Sequence, residues 1–160
     1  MKKIHITLIL TIIFALILLF FMLTIIFLIW RQSSNPVSME KAIVCFDNET
    51  CFDVEIARTD IEKTRGLMFR DKLDEDKGMI FVYNDLGDRG VWMKNTLIAL
   101  DILGMDENYS VVFIKENFLP CKEDKCQTIN VKNSMYVLEL NSGIVDKFNL
   151  SMGKRAEIRF

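Results

Sequence analysis

One long uncharged run limits what this chain can become. Residues 4–30 read IHITLILTIIFALILLFFMLTIIFLIW, with His5 and a few threonines as the only polar side chains. As a helix this run is about 40 Å long, more than the roughly 30 Å hydrocarbon core of a bilayer. It is therefore expected to span a membrane with tilt, with Trp30 and Arg31 at the far interface. A cleaved signal peptide fits less well. Its apolar region is usually about 7–15 residues and ends at small residues, whereas LIWRQSSNP offers no such site. A buried helix of this length needs a far larger protein around it. Lys2, Lys3 and the chain amine outweigh Arg31, so the positive-inside tendency places the N-terminus in the cytoplasm and everything after residue 31 outside.

The expected organisation is thus a cytoplasmic tip and signal anchor over 1–31, a polar linker over 32–40 containing Pro36, and an extracytoplasmic domain over 41–160. Removing Lys2, Lys3 and Arg31 from the 20 basic residues leaves 17 against 22 acidic ones, a balance of −5 outside the anchor. Such a domain is not expected to bind nucleic acid or to lie along an anionic bilayer face. The single histidine lies in the anchor, so the outer domain has no imidazole of its own. The four cysteines form two close pairs, Cys45/Cys51 and Cys121/Cys126. In an oxidising compartment these read as two local disulfides. Zinc binding is the alternative, but neither pair has the short C-x-x-C spacing.

Beyond the linker the pattern is mostly that of short strands. AIVCFDNETCFDVEIA predicts a hairpin turning about Asn48, with Phe52, Val54 and Ile56 alternating against Asp53 and Glu55. TDIEKTRG predicts a short surface helix, with Thr59 and Glu62 as a capping box and Gly66 at its end. MIFVY and VWMK read as two strands separated by a turn at DLGDRG. LDILGM, VVFIKENF, MYVLEL and RAEIRF read as further strands. LPCKEDKCQTINVKNS reads as a long loop, and NSGIVDKFNL as a short helix capped by Ser142. About seven short strands with one or two small helices predict a mainly β domain, a small barrel or sandwich rather than a parallel sheet.

Four stretches, TRGLMFRDKLDEDKGMIFV, WMKNTLIALDI, PCKEDKC and YVLELNSG, resemble the DUF192 family, also called UPF0127, in the same order from about residue 43 onward. The resemblance implies a compact β-rich domain, often secreted or membrane-anchored, and no established activity. The chain departs from the family pattern at Ala99, where Pro is common, at Gly104, where a bulky apolar residue is usual, and at Gly153-Lys154, where Gly-Asp is usual.

The stretch GVWMKNTLIALDILGMD poses the functional question. A lone carboxylate in an apolar strand must be paired or neutralised, and Arg65, Arg70 and Lys94 are the basic residues in neighbouring motifs expected to hold Asp101. One reading is a cleft in which Arg65, Arg70, Trp92, Lys94, Asn95 and Asp101 bind a polar or anionic ligand. The other is a closed network that fixes the strand bend. Trp92, Met68, Phe69 and Met93 supply an apolar wall in the first reading and core packing in the second. No cofactor or metal is expected: Met68 and Met93 lack companion ligands, and the acidic turns lack calcium-loop order.

The leading expectation is a binding domain for a small polar ligand or an envelope partner. The alternatives are an envelope hydrolase with Asp101 as general base and a purely structural assembly domain. A Ser-Lys dyad would pair Lys94 with Ser134 or Ser142, and nothing in the spacing favours it. Asn48, Asn108 and Asn149 head glycosylation acceptor triplets.

Overall fold

The computed structural model describes residues 2–33, 39–47, 49–123 and 125–160, and within the N-terminal helix the side chains of residues 12–28. The side chains of Lys2, Lys3, His5, Trp30 and Arg31, residues 34–38 of the expected linker, and Asn48, the expected centre of the hairpin turn, lie outside the described residues. The elements in chain order are α1 (Lys2–Ser33), β1 (Lys41–Phe46), β2 (Thr50–Ala57), α2 (Asp60–Arg65), β3 (Lys77–Trp92), β4 (Leu100–Met105), β5 (Val111–Phe118), β6 (Thr128–Asn141), α3 (Ile144–Lys147) and β7 (Ala156–Arg159). Two compact units result, Met1–Ser38 and Met39–Phe160.

In the first unit, the large apolar side chains from Ile12 to Leu28 are exposed. Among the described residues, no helix is long and apolar enough to cross a membrane.

The second unit is one sheet in the order β5-β4-β6-β3-β2-β1-β7, curled into a half-barrel. Its two edge strands approach at one corner, where Ser110 bridges Arg155 and Val111 N–H donates to the Lys154 carbonyl at 2.8 Å. Alternation along each strand fills both faces. One face gathers Val44, Phe46, Phe52, Val54, Leu103, Leu138 and Leu140 with Ile144 and Val145 of α3. The other gathers Leu67, Met79, Phe81, Met93, Leu100, Ile102 and Val137. Neighbouring residues on one strand therefore enter different cores.

Local signals place the first half of the sheet. β1 and β2 form the expected hairpin with Cys45 opposite Cys51, and a disulfide joins them. Cys121 and Cys126 are joined in the same way, which leaves no free cysteine. α2 carries the whole capping box: Thr59 Oγ1 accepts from Glu62 N–H, Glu62 Oε2 accepts from Thr59 N–H, and Gly66 follows at φ 46°. Ile61 points to solvent, as expected of a surface helix.

Four details differ from the sequence reading. DLGDRG is not a turn: β3 runs unbroken through it, paired with β6 across two register shifts between Val82 and Arg89. Its polar residues stitch the bulge instead. Asp88 accepts from Asn130 Nδ2 and Asn133 N–H, and Arg89 Nε donates to the Ser134 carbonyl. Such a bulge keeps two strands paired while bending them.

β6 begins at Thr128 rather than Met135, because its first half pairs with the far side of that bulge. β2 and β3 pair in parallel, since the crossover through α2 returns the chain in the same direction. Ser142 does not cap α3; Gly143 occupies the N-cap with no side-chain bond. Gly104 is explained by crowding. A Cβ there would lie 2.4 Å from both Ser134 Oγ and Val131 Cγ1, so this chain fills from β6 the space that a bulky β4 residue would take.

Candidate functional site

Asp101 is fully buried, 0% exposed, and its partners are not cationic. Oδ1 accepts from Asn117 N–H at 2.8 Å, and Oδ2 accepts from Val145 N–H at 2.9 Å. Val145 is the second residue of α3, so this carboxylate does the capping that Ser142 was expected to do. Ser142 Oγ instead donates to Asn117 Oδ1 at 3.0 Å. The expected pairing of Asp101 with Arg65, Arg70 or Lys94 is not formed. Two backbone N–H groups satisfy the carboxylate where a cation would also have to be desolvated. Sealed from solvent, Asp101 cannot serve as the open-cleft base of a hydrolase.

Arg70 is also engaged elsewhere. Its Nη1 and Nη2 donate to Glu55 Oε1 and Oε2 at 2.5 and 2.7 Å, a bidentate pair that holds the Glu55 carboxyl below its usual range. Asn95 is exposed in the left-handed region at φ 57°, where a short amide is readily tolerated. Its carbonyl accepts from Phe69 N–H at 2.8 Å. Thr96 N–H returns to the Met93 carbonyl at 3.2 Å, so the Lys-Asn-Thr cluster is a turn that ends the β3 segment.

Arg65, Lys94 and Trp92 do come together. They line a hollow of about 50 Å³ between the end of α2, β3 and β6, with Lys63, Tyr83, Thr96 and Glu139. That is room for a functional group or one to two waters. Lys63 Nζ lies 4.5 Å from the Tyr83 ring centre, and Lys94 Nζ lies 5.7 Å from that of Trp92. Among the described residues, Lys63, Arg65 and Lys94 have no acidic partner. The other expected wall residues separate. Met68 lines the hollow, Met93 is core, and Phe69 is exposed. Ser134 donates to the Lys132 carbonyl, so neither candidate serine pairs with Lys94.

Glu139 was not anticipated. It is 6% exposed, and its carboxyl has no hydrogen-bond partner among the described residues, yet neither oxygen is sealed. It opens into the hollow. Burial alone pushes this carboxyl up to about 8. At neutral pH it is a protonated acid that can donate a hydrogen bond, in a hollow that Lys63, Arg65 and Lys94 also line. The signal that could have found it was available in YVLEL, a single carboxylate between leucines, the same anomaly that drew attention to Asp101. Among the described residues no group of three acidic, histidine or cysteine side chains could hold a metal ion.

Two solved structures have a similar fold. One is a Sinorhizobium meliloti protein proposed to be a transcription regulator, with 31% identity, a TM-score of 0.69, and coverage of 77% of this chain and 97% of its own. The other is a protein of unknown function from Novosphingobium aromaticivorans, with 31% identity, a TM-score of 0.67, and coverage of 77% of this chain and 89% of its own. The match takes up nearly all of each of those chains, so there the same fold stands with little added to it. No curated protein matches the chain. The DUF192 family model, described as "Uncharacterized ACR", matches residues 42–158. With its half-barrel and its motifs in place, the chain belongs to the DUF192 family.

Proposed function

We propose that the Met39–Phe160 unit is an extracytoplasmic binding domain for a small ligand bearing an anionic group, held at a membrane by α1. One observation carries the ligand reading. Three cations without acidic partners line one hollow together with an unpartnered, nine-tenths buried carboxyl. Structural ion networks consume their charges, as Arg70 and Glu55 do, and this cluster does not. An anion entering it would accept from Arg65 and Lys94 and from the protonated Glu139.

The extracytoplasmic part is supported by two disulfides and no free cysteine. The anchor is supported by 32 helical residues whose described apolar side chains face outward on all sides. The −5 balance outside the anchor favours a small anion over nucleic acid, whose recognition needs many cations along one surface.

Titration calorimetry with inorganic phosphate and with acetate tests the reading. Arg65→Ala and Lys94→Ala should each weaken binding at least tenfold with little change in thermal unfolding. Unchanged affinity in both variants would refute it. Resistance of the full chain to alkaline extraction from membranes, lost on deleting residues 4–30, tests the anchor.

A second reading, proton-transfer catalysis, is favoured by Glu139 alone, because an acid near 8 in a cleft suits that work. It requires Glu139→Gln to keep ligand affinity while abolishing turnover.

A further inference from the structure

The cationic hollow has an apolar neighbour. Asp60, Ile61, Thr64, Arg65, Met68 and Phe69 line an open depression of about 570 Å³. Thr64, Arg65 and Met68 also line the hollow, so the two share a wall. Ile61 is 82% exposed and Phe69 69% exposed, large apolar side chains for which core packing gives no reason. Phe69 also stands at φ 63°, a conformation that strains a bulky residue and commonly marks a binding site. The backbone bond from Phe69 to the Asn95 carbonyl holds that turn in place.

We propose that the ligand is an anionic amphiphile, its acid group in the hollow against Arg65, Lys94 and Glu139 and its hydrocarbon chain across Met68 onto Ile61 and Phe69. The assignment rests on the anion-binding reading above and names the ligand's other half. A wholly polar anion would leave Ile61 and Phe69 bare to water. An uncharged apolar molecule would leave Glu139 and the cations without partners. Arg65 suits the boundary, since its stem can lie along apolar surface while its guanidinium reaches the acid group.

The experiment titrates the Met39–Phe160 unit with inorganic phosphate and with n-butyl, n-hexyl and n-octyl phosphate, each below its micelle concentration. Affinity should rise at least threefold for every two methylenes, and octyl phosphate should bind at least tenfold tighter than inorganic phosphate. Phe69→Asn keeps a residue suited to the left-handed backbone and should remove most of that gain while sparing phosphate binding. Ile61→Ser, on the exposed helix face, should act in the same direction without touching the turn.

Co-sedimentation with phosphatidylglycerol but not phosphatidylcholine vesicles would identify a bilayer lipid as the source of the ligand. Ester binding without sedimentation would identify a free amphiphile. Phosphate binding with no dependence on chain length overturns the amphiphile and leaves the anion site standing. No binding of phosphate or any ester overturns both.

Discussion

Asp101 and Glu139 are each a single carboxylate in an apolar strand, on paired neighbours β4 and β6. The register sets Asp101 opposite Leu140 and Ile102 opposite Glu139. One step of register sends the two acids to opposite faces of the sheet. On one face Asp101 meets two inward-pointing N–H groups and becomes part of the framework. On the other, Glu139 meets an incompletely filled space rimmed by cations. What separates a structural carboxylate from a candidate functional one here is whether the backbone across from it supplies donors.

That contrast is sharpest in stability. Asp101→Ala should lose about 3–4 kcal/mol in denaturant unfolding, because the buried Val145 N–H and the part-buried Asn117 N–H lose their acceptor and α3 loses its cap. A loss under about 1 kcal/mol would place Asp101 outside the framework.

Next in size is a pH effect belonging to Glu139. Its folded pKa, about 8, lies above the ordinary 4.5, so the native state holds a proton that the unfolded chain has released. Its contribution is complete below 4.5 and is lost as pH rises toward 8, for about 3 kcal/mol between pH 5 and pH 8. Glu139→Gln should match the wild type near pH 5 and exceed it by that amount near pH 8. Parallel pH–stability curves for the two proteins would mean the carboxyl is better solvated than its burial implies.

Smaller again is Arg70→Ala, expected to cost about 1–2 kcal/mol through the half-buried pair with Glu55. Smallest is Arg65→Ala, expected to change unfolding by less than about 0.5 kcal/mol while weakening anion binding. If Arg65→Ala costs as much as Arg70→Ala, the distinction between consumed and available cations fails. Differential scanning calorimetry resolves both.

The sequence was readable wherever partners lie close along the chain. The β1–β2 hairpin and its disulfide, the Thr59–Glu62 capping box and Gly66 each depend on residues within a few positions of one another. Arg65, Trp92 and Lys94 stand out by the composition of their motifs, and they share a hollow. Asn95 drew notice for the same reason, but its conformation answers to the turn. Glu139 in YVLEL carries the same irregularity as Asp101 in LDILG, but nothing near it in the chain marks the hollow it enters.

The unbroken course of β3 through DLGDRG could not be read locally. Asp, Gly and Arg at a bulge look like a turn until β6, some forty residues on, provides Asn130, Asn133 and Ser134 to receive them. By itself the sequence determined the mainly β character and the places where charge enters apolar surroundings, because these follow from short-range periodicity and composition. Only the tertiary structure decided what each charge meets. Partners for Asp101 come from 16 and 44 residues away, and the surroundings of Glu139 come from α2 and β3. The stability of a buried charge depends on that distant environment, which local pattern does not encode.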